Sequence, residues 1–459
     1  MNRPVLLTLC ACVLVAQSVV AAINLLIPQL AASTIHPSST EILWTVDAYV
    51  IVFASLLIPA GALGDRYGRK GALLGGLALF AIGAAISALA GDAGVLIAGR
   101  AVSGAGAALL TPATLSIIMQ LATPERRTGA LAAWTLALGL GGAVGNLGGG
   151  LIGEYLDWRW LFGVLIVLAV LLVVTVALVV PRTERSQGVR PDLLGTLLVT
   201  GGLFAILYGI IEGQPYGWTS ARIIGAFTLG ALLFVLFAFH ALRSKAPLLD
   251  VRIFRSARLD AACLGTAAGF FGLFALFFVN SQFLQGVLGF GPALAGIAIL
   301  PLPAGMAISQ RLATRWAAYP RAVIGGGLTL IGLGLLGAST IGADTPYWVY
   351  ACWILVISMD TGLSMPALTI GVVTSLPPHQ SGLGSGLSTT ARELGAALGV
   401  AITATVLAGH TQLVDGLGPA LRTIAVVVLA SMVLVVAGYG RTRGEQPDSV
   451  ADRAPASRT

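Results

Sequence analysis

Gly61-Ala62-Leu63-Gly64-Asp65-Arg66-Tyr67-Gly68-Arg69-Lys70 lies between two long apolar runs. Its reading decides the fold. Short, basic and glycine-punctuated, it has the make-up of a tight connection between two membrane helices. Glycine lets the chain turn and the helices approach. Arg66, Arg69 and Lys70 favour the cytoplasmic face of a bilayer. Asp65, a lone acid among these bases, is placed to accept hydrogen bonds and a salt bridge. Either the stretch is a charged loop that sets topology, or it is a latch that holds one conformation.

The surrounding composition agrees. Of 459 residues, 57% are hydrophobic and 10% charged, and the mean hydropathy is +0.92. Soluble domains carry about 25% charged residues. Apolar runs of about 20 residues span a bilayer core as helices. Fourteen such runs are expected, at 5–30, 41–63, 71–91, 94–121, 128–153, 160–181, 192–212, 222–242, 259–285, 293–314, 322–341, 347–373, 383–409 and 418–440. Arg3, an apolar run and Ala21-Ala22 imitate a secretory signal, but the run continues to about Leu30, so the segment is expected to stay as the first span.

Charge fixes the orientation. With the N-terminus inside, 21 of the 26 Lys and Arg fall in cytoplasmic loops and tails, and only Arg159 and Arg222 fall in outer loops. That bias predicts both termini in the cytoplasm. The net charge of +7 is spent on topology and does not point to nucleic acid. The basic stretches 182–191 and 243–258 bracket spans 7 and 8. The expected organisation is a six-helix bundle at 1–181, an inserted helix pair with basic linkers at 182–258, a second six-helix bundle at 259–441 and a disordered cytoplasmic tail at 442–459. An echo of the opening stretch, Arg311-Leu312-Ala313-Thr314-Arg315, follows span 10 without the glycines or the acid. Transporter halves are often repeats related by an axis along the membrane normal. Cys10, Cys12, Cys263 and Cys352 show no metal-ligand spacing with the four histidines and are expected to be free, buried thiols.

A charge inside a bilayer costs roughly 2.5–3.5 kcal/mol even on the insertion scale, so each needs a reason. Asp47 sits about 9 Å below the outer end of its span, counting 1.5 Å per residue. It reads as a cavity acid or as an interfacial acid beside Trp44. Arg100, among Gly99, Gly104 and Gly106, needs carboxylate or carbonyl partners. Glu393 and Asp360 fall near mid-depth. Desolvation favours their neutral forms, which suits a group that binds and releases a proton. The plain alternative for Glu393 is a fixed ion pair with another helix. Arg392 is adjacent to Glu393, but helix neighbours point about 100° apart and need not meet.

The opening stretch resembles the G-x-L-x-D-R-x-G-R-K signature of the major facilitator superfamily, which joins helices 2 and 3 there. Arg100-Ala101-Val102-Ser103-Gly104 resembles that family's helix-4 signature, whose Arg is implicated in proton coupling; Ser103 stands where Gln is commoner. Gly145-Asn146-Leu147-Gly148-Gly149-Gly150 resembles the exporter signature G-P-x-x-G-G, with Asn146 in place of proline. Asn24 and Pro28 are similar to the D-x-x-x-x-N-x-x-x-P pattern of the fourteen-helix branch, but Val19 occupies the acid position. Asn280-Ser281-Gln282-Phe283-Leu284-Gln285-Gly286 and the prolines after it also look like that branch. The resemblance spans about 10–440. It implies an all-α polytopic membrane protein of the major-facilitator fold, with 14 transmembrane helices (6 + 2 + 6).

The implied activity is proton-coupled export of lipophilic, cationic drugs across the plasma membrane by alternating access. The implied partners are a small lipophilic substrate, protons and the lipid bilayer. Proton coupling would rest on Glu393, Asp360, Asp47 and Arg100, since Val19 cannot serve. Gly61, Asp65, Arg66, Gly68, Arg69 and Lys70 would form the latch, and Gly145, Asn146, Gly149 and Gly150 the antiporter glycines. Asn24, Tyr49, Phe53, Trp134, Phe277, Phe278, Gln282 and Gln285 are candidates to line the cavity. No G-x-x-x-x-G-K-[ST] stretch, nucleophile–base pair or metal constellation is present, so neither an enzyme nor a cofactor is expected. Three other readings stay open: a narrow exporter of one metabolite or antibiotic, a non-transporting membrane sensor or scaffold, and a proton-linked importer. The sequence does not fix the oligomeric state.

Overall fold

The computed structural model describes residues 2–182, 192–244, 247–316, 318–377 and 380–440. The basic linker beyond Arg182 and the tail after 440 lie outside the described residues, as do the expectations made for them. Thirteen of the described helices are long and apolar enough to cross a membrane.

The first half contains α1 (Arg3–Leu25), the short α2 (Ile27–Ala31), α3 (Ser39–Tyr67), α4 (Arg69–Ala88), α5 (Ala93–Leu121), α6 (Pro124–Tyr155) and α7 (Arg159–Val179). One apolar core joins these helices, from Val5 to Val180, with Leu207 and Val373 attached to it. Next come α8 (Leu193–Tyr216) and α9 (Ala221–Arg243), which pack on each other; α8 also packs on α3. A 3-10 turn over Val251–Arg255 leads into the second half. This half holds α10 (Ala257–Ser281), α11 (Pro292–Ala298), α12 (Pro301–Arg315), α13 (Pro320–Ala338), α14 (Tyr347–Leu363), α15 (Met365–Thr374), α16 (Ser381–Ala408) and α17 (Leu413–Gly440). A second core, mostly between Val199 and Tyr439, holds it together.

Side-chain chemistry sets the helix ends. Ser38 and Glu41 form a reciprocal capping box at the start of α3, and Asp92, Ser220 and Ser256 cap α5, α9 and α10. Stretch 293–314 is not one continuous helix: α11 stops at Ala298, and Pro301 opens α12, because proline cannot supply the amide that a continuing helix needs. The expected loop at 61–70 is almost absent. α3 continues to Tyr67 and α4 starts at Arg69, so the turn is made at Gly68 alone, at φ 98°. A side chain there would be strained. All four cysteines are free, but the expectation of four buried thiols is corrected: Cys12 is buried, Cys10 and Cys263 are half-buried and Cys352 is exposed on α14.

The halves meet where α3 and α5 pack on α16, and where α6 packs on α11, α12 and α15. Glycine makes the first contact possible. A Cβ on Gly382 would stand 2.5 Å from the Gly61 carbonyl oxygen, and one on Gly386 2.5 Å from that of Leu57. α1 meets α6 in the same way: Gly141, Gly145 and Gly149, one turn apart, lie against the backbone at Leu14, Ser18 and Ala22.

Candidate functional site

Asp65 sits in the last turn of α3, and its carboxylate reaches across to the second half. Oδ1 accepts the Gly382 amide at 2.9 Å and Oδ2 the Leu383 amide at 3.0 Å. These are first-turn amides of α16, which have no partner within their own helix and carry the positive end of its dipole. Arg69, one turn later, donates to Asp65 Oδ1 through Nε at 3.2 Å and Nη2 at 3.1 Å. Both residues are buried. Ser116 on α5 shares a hydrogen bond of 3.0 Å with Ser381. Lys70 points elsewhere: its Nζ donates to the carbonyls of Ala177 and Val180, capping α7. Arg66 lies over the Tyr67 ring at 5.2 Å. Of the opening stretch, then, Asp65 and Gly61 join the halves, Gly68 makes the turn, and Lys70 fastens a neighbouring helix.

Further into the bilayer, both halves contribute to one small cavity. Trp134, Thr135 and Leu138 on α6 face Thr266 and Phe270 on α10 and Ser388, Thr389 and Arg392 on α16. Trp134 Nε1 donates to Thr114 Oγ1 at 3.0 Å. The Arg392 guanidinium lies 5.8 Å from the Trp134 ring and 5.4 Å from the Phe270 ring. It also turns back along its own helix to Glu393 Oε1, through Nε at 3.1 Å and Nη2 at 2.9 Å. Adjacent helix positions do pair here, because the arginine stem is long enough to curl round and both groups are buried.

Arg100 is fully buried. Its Nε donates to the Thr45 carbonyl on α3 at 2.8 Å, and the guanidinium lies over the Tyr49 ring at 4.6 Å. Among the described residues, Nη1 and Nη2 have no hydrogen-bond partner. Close approach of α3 to α5 is permitted by Gly104, where a Cβ would lie 2.5 Å from the Tyr49 carbonyl oxygen.

Comparison with known proteins agrees with this architecture. A family model described as Major Facilitator Superfamily matches residues 9–400. The chain belongs to that superfamily. It is a multi-pass membrane transporter and not an enzyme. The puromycin resistance protein pur8 of Streptomyces alboniger is 35% identical, over 82% of this chain and 76% of its own length. The methylenomycin A resistance protein of Bacillus subtilis is 31% identical, over 82% and 81%. The multidrug efflux pump LfrA of Mycolicibacterium smegmatis is 32% identical, over 82% and 75%. In fold, the chain matches the human organic anion transporter MFSD10 with a TM-score of 0.68 at 16% identity, covering 94% of this chain and 99% of that one.

The other residues singled out in this major facilitator chain are scattered. Asp360 is sealed inside the second half. Ser364 Oγ donates to its Oδ1 at 2.5 Å, and Oδ2 has no hydrogen-bond partner among the described residues. Gly327 and Gly269 make room for the carboxyl: Cβ atoms there would lie 2.6 Å from Oδ1 and 2.8 Å from Oδ2. Asp47 is half-buried on α3, within electrostatic reach of Arg100. Among the aromatic candidates, only Trp134 lines the cavity. Tyr49 and Phe53 stack on each other in the first core, with the Tyr49 hydroxyl donating to the Ala16 carbonyl at 2.8 Å. Phe277 and Phe278 are half-buried on α10. Gln282, half-buried, and Gln285, exposed, lie in a π-helical turn over Gln282–Val287. Asn24 is exposed and bonds back to the Val20 carbonyl. Val19 is buried in the first core. Gly145 and Gly149 face α1, Gly150 only approaches Leu25, and Asn146 is half-buried.

Sequence reasoning missed the other side of each contact: the Gly382 and Leu383 amides, Ser381, Thr114 and the serine–threonine run at 388–389. Small residues in an apolar helix carry little signal of their own. It also missed Glu212, which α8 carries inside the protein because the helix continues through Pro215 to Tyr216, past the expected end at 212.

Proposed function

We propose that this chain is a proton-coupled exporter of lipophilic, cationic drugs, working by alternating access across the plasma membrane with no cofactor beyond the proton gradient. We assign it fourteen crossings, with α11 and α12 together forming the one that no single long helix supplies, and both termini in the cytoplasm. Its parts are then a bundle at 1–181, the inserted pair at 182–258, a second bundle at 259–441 and a tail at 442–459.

The observation that carries the reading is the pair Arg392–Glu393 beside a cavity built from both halves. A carboxylate at such a place can hold a proton, a cationic substrate or Arg392, but only one of them well at a time. Competition for one site is the simplest basis of antiport, provided proton and substrate bias the two conformations differently. The acid takes a proton from outside, substrate leaves, and loss of the proton inside restores the loaded form. The Asp65–α16 contact holds the halves together at the end that the charge bias places in the cytoplasm, and its release accompanies inward opening. The aromatic faces of Trp134 and Phe270 suit a flat or cationic ligand.

A narrower spectrum is the second reading. Several relatives are named for resistance to a single antibiotic, puromycin or methylenomycin A, whereas others are named for multidrug efflux or multidrug resistance. Liposomes with an imposed pH gradient test both readings. Uptake of tetraphenylphosphonium and internal pH are followed together for native protein and Glu393→Gln. Coupled movement of both, lost in Glu393→Gln, is the expected result. Coupled movement that survives moves the proton site to Asp360 or Asp47. Movement of puromycin but not of tetraphenylphosphonium favours the narrow exporter, and movement of neither refutes the exporter reading.

A further inference from the structure

Asp360 lies one side chain behind the cavity. It is fully buried on α14. Ser364 Oγ donates to its Oδ1, while Oδ2 has no hydrogen-bond partner among the described residues. Among those residues Asp360 makes no ion pair either.

The unused oxygen meets a side chain of the cavity wall. Met365 on α15 and Phe270 on α10 both line the cavity. Gly269 precedes Phe270, and a Cβ placed on it would run into the Met365 methyl and lie 2.8 Å from Asp360 Oδ2. Methyl and oxygen therefore converge over the same glycine, with Met365 as the group that has the cavity on one side and the carboxyl on the other. Met365 is the first residue of α15, at the joint with α14 and just before Pro366. Its thioether chain is unbranched and changes rotamer easily.

The helices packed around Asp360 bring it no counter-charge. On α10, α12 and α13 the charged residues are Arg258, Asp260, Arg311, Arg315 and Arg321, all exposed and toward the helix ends. α6, which touches α14 and α15, carries its charges at Glu125, Arg126, Arg127 and Glu154, in its terminal turns. α15 itself has none. On α16, Arg392 is engaged by Glu393.

We propose that Met365 is a door, and that Asp360 behind it is a second subsite of the cavity that takes the ammonium group of a lipophilic amine. This rests on the reading of the cavity as the substrate site of an exporter, and names the part of the substrate that reaches past Trp134 and Phe270. The ring of the substrate lies against those two aromatics, Met365 swings aside, and the ammonium donates an N–H to Oδ2. An unpaired carboxylate in these surroundings is costly, so the empty subsite holds a proton. That proton leaves as the ammonium enters, so charge is conserved, and Ser364 keeps its bond to Oδ1. A quaternary cation brings the charge but has no N–H to give.

Infrared difference spectroscopy of the protein in nanodiscs tests the subsite. Without ligand, native protein should show the C=O band of a protonated carboxyl that Asp360→Asn lacks. Phenylbutylamine, with ring and amine at opposite ends of its chain, should bleach that band, and its quaternary trimethylammonium analogue should not. Absence of the band, a band that persists at the highest amine concentration, or equal bleaching by both compounds overturns the proposal. Asparagine is a neutral isostere of the protonated acid, so Asp360→Asn should keep the native melting temperature. By equilibrium dialysis it should bind phenylbutylamine at least about tenfold more weakly and the quaternary analogue with unchanged affinity; an equal loss for both overturns the subsite. If the variant does not fold, the response of the native band to the two compounds decides. The door is read from the rate at which the band shifts on transfer to deuterium oxide: Met365→Ala should speed this exchange, and an unchanged rate refutes the route past Met365. If the amine bleaches the band but liposomes show no coupled movement of proton and drug, the subsite stands and the antiport reading fails. If proton and drug move together while the band never responds, antiport stands and the subsite fails.

Discussion

Replacing Asp65 by Asn removes the charge from the contact between the halves and almost none of the volume. Arg69 donates to Asp65 from the same bundle, so that bond persists whether the halves touch or part and does not bias the equilibrium. What biases it is the pair of α16 amides, Gly382 at 2.9 Å and Leu383 at 3.0 Å. Asparagine has one acceptor oxygen, so one of these bonds is lost and the other loses its charge assistance. A hydrogen bond to a charged group contributes about 1.5–3 kcal/mol net, and a carboxylate at a helix N-terminus about 0.3–1 kcal/mol. Water takes over the freed amides when the halves separate, leaving a bias of about 2 kcal/mol, or roughly 30-fold in population at 1.4 kcal/mol per factor of ten. The assay is a pulsed-EPR distance distribution between spin labels at Tyr67 and Thr374, both exposed at this end on opposite halves, with the four native cysteines replaced. Asp65→Asn should transfer population from the short to the long distance. A distribution that matches the native one, in variants that remain folded, would refute the reasoning.

The α1–α6 contact supplies an internally controlled test. Gly145→Ala drives a Cβ into the Ser18 carbonyl, and Gly149→Ala places one 2.6 Å from that of Ala22, whereas at Gly148 nothing lies within 4 Å. The first two should lower stability by about 1–3 kcal/mol, as overpacking does, and Gly148→Ala should leave the melting temperature unchanged or slightly raised. Trp134→Phe deletes the bond to Thr114 and should cost about 0.5–1.5 kcal/mol; if Trp134 touches substrate, transport KM rises while the cytoplasmic contact read by EPR is unaffected. At the foot of the inserted pair, Asp192 accepts the amides of Gly195 and Leu248 at 2.8 and 2.9 Å and meets His240 Nε2 at 2.7 Å. Burial works against its charge, but these partners outweigh burial and hold the carboxyl below its ordinary range. A carboxyl lowered by folding stabilises the fold above its unfolded value, about 3.9, and loses that contribution as pH falls through the lower folded value. Asp192→Asn should therefore destabilise most near neutral pH, with the gap from native protein closing below about pH 4 in melts.

Much of the molecule was readable in one dimension because a bilayer imposes one-dimensional rules. A run of apolar residues either is long enough to cross or is not, and loop arginines sort by side without reference to any partner. The opening stretch was legible for the same reason: its glycines and charges break the hydropathy over ten residues. Asp47, Arg100, Asp360 and Glu393 stood out because a charge in an apolar run is conspicuous wherever the fold puts it. What each one meets was not legible. Asp360 and Glu393 look equivalent along the chain, yet one is enclosed by glycines of α10 and α13 and the other pairs with Arg392 beside the cavity. Tyr49 and Trp134 are both aromatics in apolar helices, yet helix rotation turns one into the core and the other onto the cavity.

The sequence by itself determined that this chain is a bundle of membrane helices, roughly where they begin and end, and which superfamily it resembles. These are properties of segments, set by local hydropathy, turn residues and charge. Only the tertiary structure decided that Asp65 caps a helix more than 300 positions later in the chain, that Arg392 turns to its own neighbour, and that Trp44 on α3 stacks on Tyr208 of α8. Those are properties of contacts, and a contact depends on how two helices rotate and cross. In a uniformly apolar chain, backbone shape and glycine placement fix that crossing, and hydropathy barely registers it.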